Sequence, residues 1–380
     1  TAFAALLAAV ISPLLGAMAD FRGSKKKFLT VFMLLGVIAT ALLFFPNQPG
    51  SWLIAAILFI FANIGFAGSL VYYDALLPHV ARADEIDQVS SRGYMMGYFG
   101  GGILLAVNLV MIMVLPEVFP QLGKGLMTRL SFVTVALWWF GFTLPLLFKV
   151  KEPLRRIEEG EEDLHPIRAS LIRLKKTFLD LKKYRDLSLG LLAFWIYANG
   201  IGTIITMATI YGKELNFSDT TLIGTLLMVQ ILAAPFAMLF GWLAKKIGTK
   251  KAIYLSLVIY SLIAVAGYFL YHEWQFWVLG AAVATVQGGS QALSRSMIGK
   301  MMPKSKSAEF YGFFSVFEKF ASILGPFIFG VVSHLMNESR LSIASLILFF
   351  GLGLFVLTKV NLERGVKVAS DEEAKLITVE

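Results

Sequence analysis

The stretches GAMADFRGSKKKF at 16–28 and GWLAKKIGTKKAI at 241–253 decide the fold, and we refer to them as the first and second signature loops. Each follows one apolar segment of helix length and precedes another. Their glycines and lysines match at a constant offset. The matched pairs are Gly16 with Gly241, Gly23 with Gly248, and Lys26 with Lys251. Because glycine permits close helix contact and tight turns, the repeated loop indicates two related helical halves, the arrangement of transporters that work by alternating access.

Composition places the chain in a lipid bilayer rather than in water. Of its 380 residues, 57% are hydrophobic and 16% are charged, whereas a soluble domain carries about 25% charged residues. Apolar runs long enough to span a membrane recur along the chain, separated by polar loops. We predict eleven spans, at 1–18, 28–45, 52–77, 94–115, 129–149, 187–211, 220–243, 252–271, 275–299, 309–335 and 341–359.

Residue content excludes several kinds of chemistry. The sequence has no cysteine, and its four histidines lack the spacing of metal ligands, so we expect neither a disulfide nor a metal site. The sequence contains no nucleotide-binding or catalytic-triad pattern, which argues against ATP-driven pumping and hydrolysis. We therefore expect no enzyme activity and no cofactor.

Basic residues set the orientation of the predicted spans. With the loop at 19–27 in the cytoplasm, strict alternation puts most lysines and arginines on the cytoplasmic side, as the positive-inside rule requires. The net charge of +9 thus reports topology, and we expect no nucleic-acid partner. Residue 1 then lies outside and already within an apolar segment. We therefore expect that an earlier span is absent from this chain and that one added helix gives twelve.

The longest polar segment divides the chain. We expect an all-α membrane protein with an N-terminal helical bundle at 1–148, a cytoplasmic linker at 149–186, a C-terminal six-helix bundle at 187–360 and a cytoplasmic tail at 361–380. Within the linker, apolar residues recur at helical spacing between basic ones, which predicts an amphipathic helix. They are Ile167, Leu171, Leu174, Phe178 and Leu181. A helix on the inner membrane surface and a solvated connecting helix both fit this pattern.

The signature loops resemble those between helices two and three, and between helices eight and nine, of the major facilitator superfamily. The resemblance covers essentially the whole chain and implies a twelve-helix fold in two six-helix pseudo-repeats, with eleven of the helices present here. In that superfamily the acidic residue of the loop locks the cytoplasmic face by contacting neighbouring helix ends. Asp20 matches that acid, whereas Lys245 occupies the matching place in the second loop and departs from it.

A narrower resemblance rests on five motifs. They are YYDALLP at 72–78, RGYMMGYFGGG at 92–102, VQGGSQALSRS at 286–296, AEFYGFF at 308–314 and LGP at 324–326. Together they are similar to the family of the autophagy-related vacuolar effluxers and their bacterial relatives. This resemblance implies efflux of amino acids from the vacuole for the fungal members, while the bacterial members are mostly of unassigned substrate.

Ionisable residues inside spans are candidate functional groups, because each costs about 2.5 to 3.5 kcal/mol on insertion scales. Glu318 is the acid nearest the predicted midplane. We expect it to be buried there and regard it as a candidate proton or cation site, with a structural ion pair as the alternative. Lys319 points about 100 degrees away around the same helix. It either holds Glu318 ionised, faces another neighbour or extends to the membrane surface.

Polar residues on one face of a predicted helix indicate a solute pathway. Gln287, Gln291 and Arg295 are four residues apart and share one face of the span at 275–299. Since a polar row in lipid must face protein or water, these side chains either bind a zwitterionic or anionic solute or hold neighbouring helices together.

A second polar face lies on the span at 52–77. Asn63 and Asp74 are three helical turns apart, and Tyr73 is beside Asp74. Because the repeat makes this span equivalent to the one at 275–299, Asp74 and Arg295 lie at comparable depths. This predicts either a gate between the halves or local pairing of Asp74 with loop lysines.

Other polar residues complete the predicted pathway. They are Asn108, Trp195, Asn199 and Gln230. Trp195 and Asn199 share one helix face, and Gln230 precedes Pro235, whose missing amide donor weakens the helix. Asn108 follows the glycine run at 100–102, whose simplest role is close packing or bending, since no strand precedes it.

The repeated loops and buried polar faces together predict a secondary transporter of a small polar organic solute, an amino acid or related metabolite. It would work by alternating access, with Glu318 as the candidate for proton coupling. The expected partners are the solute and the lipid bilayer, and we expect a monomer in the cytoplasmic membrane of a bacterium. Two alternatives stay open: a lipid or drug exporter of the same fold, and a membrane receptor or scaffold that does not transport.

Overall fold

In the computed structural model the protein consists mainly of long helices joined by short loops. The structure describes residues 2–157, 164–179, 182–336 and 339–379. The α-helices in these ranges are α1 Ala2–Arg22, α2 Lys25–Leu42, α3 Trp52–Val80, α4 Ile86–Leu109, α5 Leu115–Val118, α6 Lys124–Lys149, α7 Pro166–Leu179, α8 Arg185–Glu214, α9 Asp219–Ile247, α10 Thr249–Tyr268, α11 Glu273–Met301, α12 Ser307–Met336, α13 Ser339–Thr358 and α14 Leu362–Glu373. A π-helical turn at Val110–Val114 joins α4 to α5, and 3-10 turns at Pro49–Ser51 and Lys304–Lys306 precede α3 and α12.

The predicted all-α fold class is confirmed. All eleven predicted spans overlap long helices, and eight helical segments of the described residues are long and apolar enough to cross a membrane. The count of twelve helices stays a prediction. The helix that contains the predicted span 94–115 begins well before that span, at Ile86. Its polar first turns are helical because Ser90 and Ser91 are buried in protein contacts and need not face lipid.

Within each half, glycines bring neighbouring helices into close contact. A Cβ atom at Gly65 on α3 would lie 2.3 Å from the amide nitrogen of Gly36 on α2. In the C-terminal half, a Cβ at Gly353 on α13 would lie 2.8 Å from Cβ of Tyr197 on α8. Helices in lipid associate mainly through such close packing, so these glycines set the spacing of the helices that carry the polar residues.

The helices that lead into the signature loops pack against the opposite half. α1 lies on α12, and α9 lies on α4. A Cβ at Gly16 would lie 2.2 Å from the carbonyl oxygen of Ala308, and one at Gly241 would lie 2.7 Å from the Ser91 side chain. The repeat makes α1 equivalent to α9 and α12 equivalent to α4. The two contacts are therefore related by the internal symmetry and close the same face, which we call the loop face.

The linker and the tail meet on the loop face in a two-stranded antiparallel sheet of β1 (Arg155–Ile157) and β2 (Ile377–Val379). Next to it, α14 is attached to α8 by an ion pair from Arg364 to Asp186. Burial raises the pKa of Glu372 on α14, but hydrogen bonds and charge from Lys183 and Lys375 lower it to about 2. The segment expected to be a plain tail thus contains a helix and a strand. Of the predicted amphipathic helix, α7 covers all but Leu181, which lies outside the described residues.

Candidate functional site

Arg295 on α11 joins the two halves. Its guanidinium donates from Nη1 to Asp74 Oδ1 on α3 at 2.8 Å. Nε donates to the Ser90 hydroxyl on α4 at 2.9 Å, and Nη2 donates to the Ser90 carbonyl at 3.0 Å. The side chains of Arg295 and Asp74 are 5% and 16% exposed. A buried charge must be paired and hydrogen-bonded. If the halves separate here, both Arg295 and Asp74 must therefore be hydrated or find new partners.

Tyrosines from both halves enclose Arg295. The guanidinium carbon lies 4.7 Å from the ring centre of Tyr94 and 5.5 Å from that of Tyr73, which is within the range of cation–π attraction. The Tyr311 hydroxyl on α12 donates to the Arg295 carbonyl at 3.0 Å. Arg295 therefore contacts α3, α4 and α12, and only the last belongs to its own half.

A layer of glutamines continues the contact between halves. The Tyr98 hydroxyl on α4 donates to Gln291 Oε1 at 2.7 Å, and Gln287 Nε2 donates to the Tyr98 hydroxyl at 3.0 Å. The predicted polar row on α11 thus faces protein of the other half at each of its three positions. Tyr98, which the sequence did not indicate as a site residue, is the common partner of both glutamines.

A cavity of about 180 Å³ lies beside this layer, between α4, α8, α11 and α12. Its polar lining residues are Tyr94, Tyr197, Gln291, Ser294, Glu318, Lys319 and Ser322. The hydroxyls of Tyr197 and Ser294 are 2.6 Å apart and hydrogen-bonded to each other. The cavity therefore offers one carboxylate, one ammonium and one amide to a bound molecule.

The prediction that Glu318 is buried was wrong. Glu318 is exposed, while Lys319 is partly buried. Position along a helix fixes depth in the membrane but not the exposure of the side chain, and here α12 turns Glu318 toward the cavity. Within the described ranges no ion pair joins Glu318 to Lys319, so both groups are available to a solute.

A second cavity, of about 300 Å³, is lined by helices of the C-terminal half and by Leu105 of α4. Gln230 and Gln287 line it, together with Thr203 and a majority of apolar side chains. Ile205 lines both cavities, so the two are neighbours. Gln230 is thereby brought near the glutamine layer, as a pathway role would require.

Seven of the ten predicted pathway residues line neither cavity: Tyr73, Asp74 and Arg295, which lie at the contact between the halves, and Asn63, Asn108, Trp195 and Asn199. Asn63 donates to the Phe59 carbonyl of its own helix, and Asn199 donates to the Trp195 carbonyl. Asn108 accepts from the Thr134 hydroxyl at 2.8 Å, which ties α4 to α6 within one half. The contacts of Asn108 and Asn199 thus lie within one half.

The first signature loop closes on the N-terminus of α12. Asp20 accepts from the amides of Ala308 and Glu309 at 3.2 and 2.8 Å and pairs with Lys25 at 2.7 Å. Gly23 adopts a left-handed φ of +58°. Burial raises the pKa of Asp20, and Lys25 and the two amides oppose that shift. We call Asp20, Lys25 and these two amides the Asp20 cluster.

The first loop is also tied to the linker. Lys26 Nζ donates to the Val150 carbonyl at 2.5 Å, and its amide donates to the Glu152 carboxylate at 3.1 Å. Burial raises the pKa of Glu152 above its ordinary value, although the hydrogen bond from the Lys26 amide and the charges of the neighbouring lysines oppose that shift. The lysine of the repeat therefore holds the end of α6 against the start of α2.

The second signature loop also turns at a glycine of positive φ but has a different closing contact. Gly248 has a φ of +92°, and Lys245 and Lys251 are exposed. The acid here belongs to the other half: Asp87, in the first turn of α4, accepts from the hydroxyls of Thr249 and Ser296 at 2.7 and 2.6 Å and from Lys300 at 2.6 Å. We call these four residues the Asp87 cluster.

Comparison with known proteins decides the family. The model for the family described as "Vacuole effluxer Atg22 like" matches residues 1–370. The chain belongs to the Atg22-like family. It is 37% identical over 372 residues to the "Uncharacterized MFS-type transporter YxiO" of Bacillus subtilis, covering 98% of this chain and 86% of the relative. It is 24% identical over 409 residues to "Autophagy-related protein 22" of Saccharomyces cerevisiae strain S288c, covering 93% and 75%.

Solved structures agree on the fold of this Atg22-like chain. The E. coli fucose:proton symporter FucP aligns with a TM-score of 0.73 at 13% identity, covering 95% of this chain and 90% of that one. The proton:xylose symporter XylE aligns with a TM-score of 0.72 at 14% identity, covering 97% and 87%. The chain is thus a multi-pass membrane protein of the major facilitator superfamily, a superfamily of transporters, and both predicted resemblances are confirmed.

Sequence reasoning missed Asp87 in this Atg22-like transporter. Asp87 is 7% exposed and bonds to residues 162, 209 and 213 positions away. One signal was available: Asp87 lies at the start of the helix that the repeat makes equivalent to α12, whose N-terminus receives Asp20. An acid near that start, opposite a loop that lacks its own acid, indicates a substitute contact.

Proposed function

We propose that this Atg22-like protein is a secondary active transporter of a small zwitterionic solute, an amino acid or related metabolite, which it moves by alternating access. The observation that carries the proposal is the 180 Å³ cavity, which is lined by the C-terminal half and by Tyr94 of the N-terminal half, and in which Glu318 and Lys319 lie on one helix without pairing to each other. Consistent with this, the hydrogen bonds that join the halves lie beside the cavity and toward the loop face. We further propose that the protein is a monomer in a bacterial inner membrane.

The lining of the cavity suggests how a zwitterion is held. Glu318 would accept from the solute ammonium, Lys319 would donate to its carboxylate, and the Gln291 amide would complete the site. Hydrogen bonds in which the donor or the acceptor is charged are roughly twice as strong as those between neutral groups. A solute with only one charge would leave the other side chain without a partner, so the arrangement favours zwitterions.

The closed loop face gives the direction of access. If the loop face is cytoplasmic, as the distribution of basic residues predicts, the described state is closed to the cytoplasm and its cavity opens to the opposite side. Opening toward the cytoplasm would then break the Asp20 cluster, the Asp87 cluster and the Arg295 contacts together. Rigid rocking of two halves about a central site accounts for this coupling.

Glu318 is also our candidate for proton coupling. It is the only carboxylate lining the 180 Å³ cavity among the described residues, so a proton and the solute ammonium would compete for it. Exchange of one for the other at this site would link solute movement to a pH gradient.

Reconstituted transport tests the proposal. Purified protein in liposomes is given labelled amino acids, nucleosides and organic acids, with and without a pH gradient. We expect uptake of zwitterionic amino acids, and a loss of at least about tenfold in Glu318→Gln, since one hydrogen bond to a charged group is worth roughly 1.5–3 kcal/mol. Glu214→Gln, an exposed acid at the end of α8, is the matched control. If Glu318→Gln transports as well as the parent at every pH, both roles of Glu318 are wrong.

A lipid or drug exporter is the second candidate, because the 300 Å³ cavity is lined mainly by apolar side chains. That function predicts that bulky substitution in this cavity, such as Val229→Phe, abolishes transport of an apolar dye. Transport of the dye but of no zwitterion in the same liposomes would favour this candidate.

A further inference from the structure

Helix α7 of the linker has one face buried against the transporter. Ala169, Ser170, Arg173 and Thr177 are at most 3% exposed, and they recur at helical spacing. The Arg173 guanidinium lies 5.3 Å from the centre of the Phe21 ring at the end of α1. This face holds α7 against the loop face, so the opposite face is fixed in orientation rather than free to turn away.

The opposite face of α7 is apolar and exposed. Ile167, Leu171, Ile172 and Leu179 are 54%, 53%, 45% and 70% exposed. A soluble helix usually buries its apolar side, whereas α7 buries small and polar residues and presents the apolar ones. Such an exposed apolar patch marks a surface that binds something.

Basic side chains accompany these apolar residues. Arg168, Lys175 and Lys176 are all exposed, and α7 contains no acidic residue. Apolar side chains interspersed with lysine and arginine are the pattern of helices that lie in the headgroup region of a membrane, where the aliphatic groups enter the boundary and the cations meet anionic headgroups.

The position of α7 is continuous with the membrane-facing surface. Phe148, at the end of the candidate span Lys124–Lys149, is 82% exposed, and Leu154 is 68% exposed. Arg155, next to Leu154, lies over the same Phe21 ring as Arg173, at 4.8 Å. The segment that follows the membrane span is therefore linked to α7 through the buried Phe21 ring, over which Arg155 and Arg173 both lie.

We propose that the exposed face of α7 is a docking surface for anionic lipid headgroups of the bilayer. Its apolar residues insert at the headgroup boundary, and Arg168 and Lys175 bind the headgroup phosphates. This inference goes beyond the transport proposal and does not depend on which solute is moved. The acidic run EEGEED at 158–163 is the competing occupant within the chain, and a protein partner is another.

The absence of cysteine from the chain gives a direct test. Leu171→Cys is labelled with a bimane fluorophore in liposomes that contain bromine-labelled lipids, which quench on contact. The same label at Lys304→Cys, an exposed site elsewhere on the loop face, is the control. We expect quenching at position 171, at least about twofold stronger with brominated phosphatidylglycerol than with brominated phosphatidylcholine, and lost preference in the double variant Arg168→Glu, Lys175→Glu.

Three results would overturn the proposal. Quenching at 171 no greater than at 304 means that α7 does not touch lipid. Equal quenching by both lipids means that headgroup charge is not recognised. If quenching at 171 appears only after the five acids of 158–163 are neutralised, the acidic run occupies the surface instead. Unfolding of the double variant would be detected by its melting temperature, and a milder Lys175→Gln variant then measures the same preference.

Discussion

The two signature loops each turn at a glycine of positive φ, and they differ in the origin of the acid that closes them. In the first, Asp20 lies in the loop region and reaches the N-terminus of α12 in the other half. In the second, the loop side contributes Thr249, and Asp87 is supplied by the start of α4. An acid at a helix N-terminus is favoured by the free amides and the helix dipole. Equivalent helices therefore meet in both halves of the repeat. The acid lies on the loop side of the contact in the first case and on the opposite side in the second.

The two contacts also differ in burial. Asp20 and its partner Lys25 are 0% and 3% exposed at the side chain, whereas Lys300 of the Asp87 cluster is 16% exposed. A buried ion pair that loses one member leaves an uncompensated charge, while a partly exposed one can turn to water. We therefore expect the closed state to depend more strongly on Asp20.

The largest effect is expected from Asp20→Ala. The substitution strands Lys25 and removes both helix-end bonds, and breaking a buried pair costs roughly 3–5 kcal/mol. Opening is measured by maleimide labelling of Ser12→Cys, a buried position on α1 against α12. We expect labelling to accelerate at least about tenfold. Asp219→Ala, which removes an exposed ion pair with Lys213, is the control. Unchanged labelling would mean that Asp20 does not hold the face closed.

The paired variants Gly16→Ala and Gly241→Ala should both open the loop face, with Gly16→Ala the stronger. The new methyl group at Gly16 meets the backbone carbonyl of Ala308, which cannot move independently, whereas at Gly241 it meets the Ser91 side chain. Overpacking costs about 1–3 kcal/mol. Labelling of Ser12→Cys measures both, and Gly141→Ala, with no neighbour within 4 Å, is the control. A larger acceleration of labelling by Gly241→Ala than by Gly16→Ala would contradict the expected order of the two contacts.

Asp87→Asn should have a moderate effect. The amide keeps an acceptor for Thr249 and Ser296 but loses the charge opposite Lys300, which can turn partly to water. We expect a cost of about 1 kcal/mol, or roughly fivefold faster labelling of Ser91→Cys. Asp84→Asn, whose side chain is 73% exposed, is the control. If Asp87→Asn accelerates labelling as much as Asp20→Ala does, burial does not determine which of the two clusters holds the loop face closed more strongly.

The smallest effect is expected from Lys245→Asp, which restores an acid at the place where the first loop has one. Lys245 is exposed, and surface changes usually stay within about 0.5 kcal/mol. Labelling of Ser91→Cys should change less than about twofold. Marked slowing of the labelling would show that this position does reach α4 and that the Asp87 cluster is not a full substitute.

The sequence predicted contacts that follow from symmetry. Gly23 and Gly248 were expected to allow a tight reversal, and both adopt a left-handed backbone. Asp74 and Arg295 were expected at equal depth, and they form an ion pair, although its role as a gate stays a prediction. These inferences needed only helical periodicity and the internal repeat, both of which can be read directly from the sequence.

Contacts that depend on the packing of several elements could not be predicted. Asp87 gains its partners only when α4, α10 and α11 meet, and nothing near it in the sequence reports that. The exposure of Glu318 depends on how α12 packs beside α8 and α11, and the inward packing of Asn108 depends on the contact of α4 with α6. Periodicity gives the face of a helix, but it does not say which neighbour that face meets.

The most direct test of the account is the distance between the halves at both faces. Spin labels at Arg22→Cys and Lys304→Cys report the loop face, and labels at Glu117→Cys and Glu214→Cys report the opposite face; all four positions are exposed. For a transporter that alternates access, we predict two distances at each face, with the short loop-face distance accompanying the long opposite-face distance and a transported solute shifting both populations together. A single distance at each face, unchanged by every solute, would contradict alternating access and favour a receptor or scaffold.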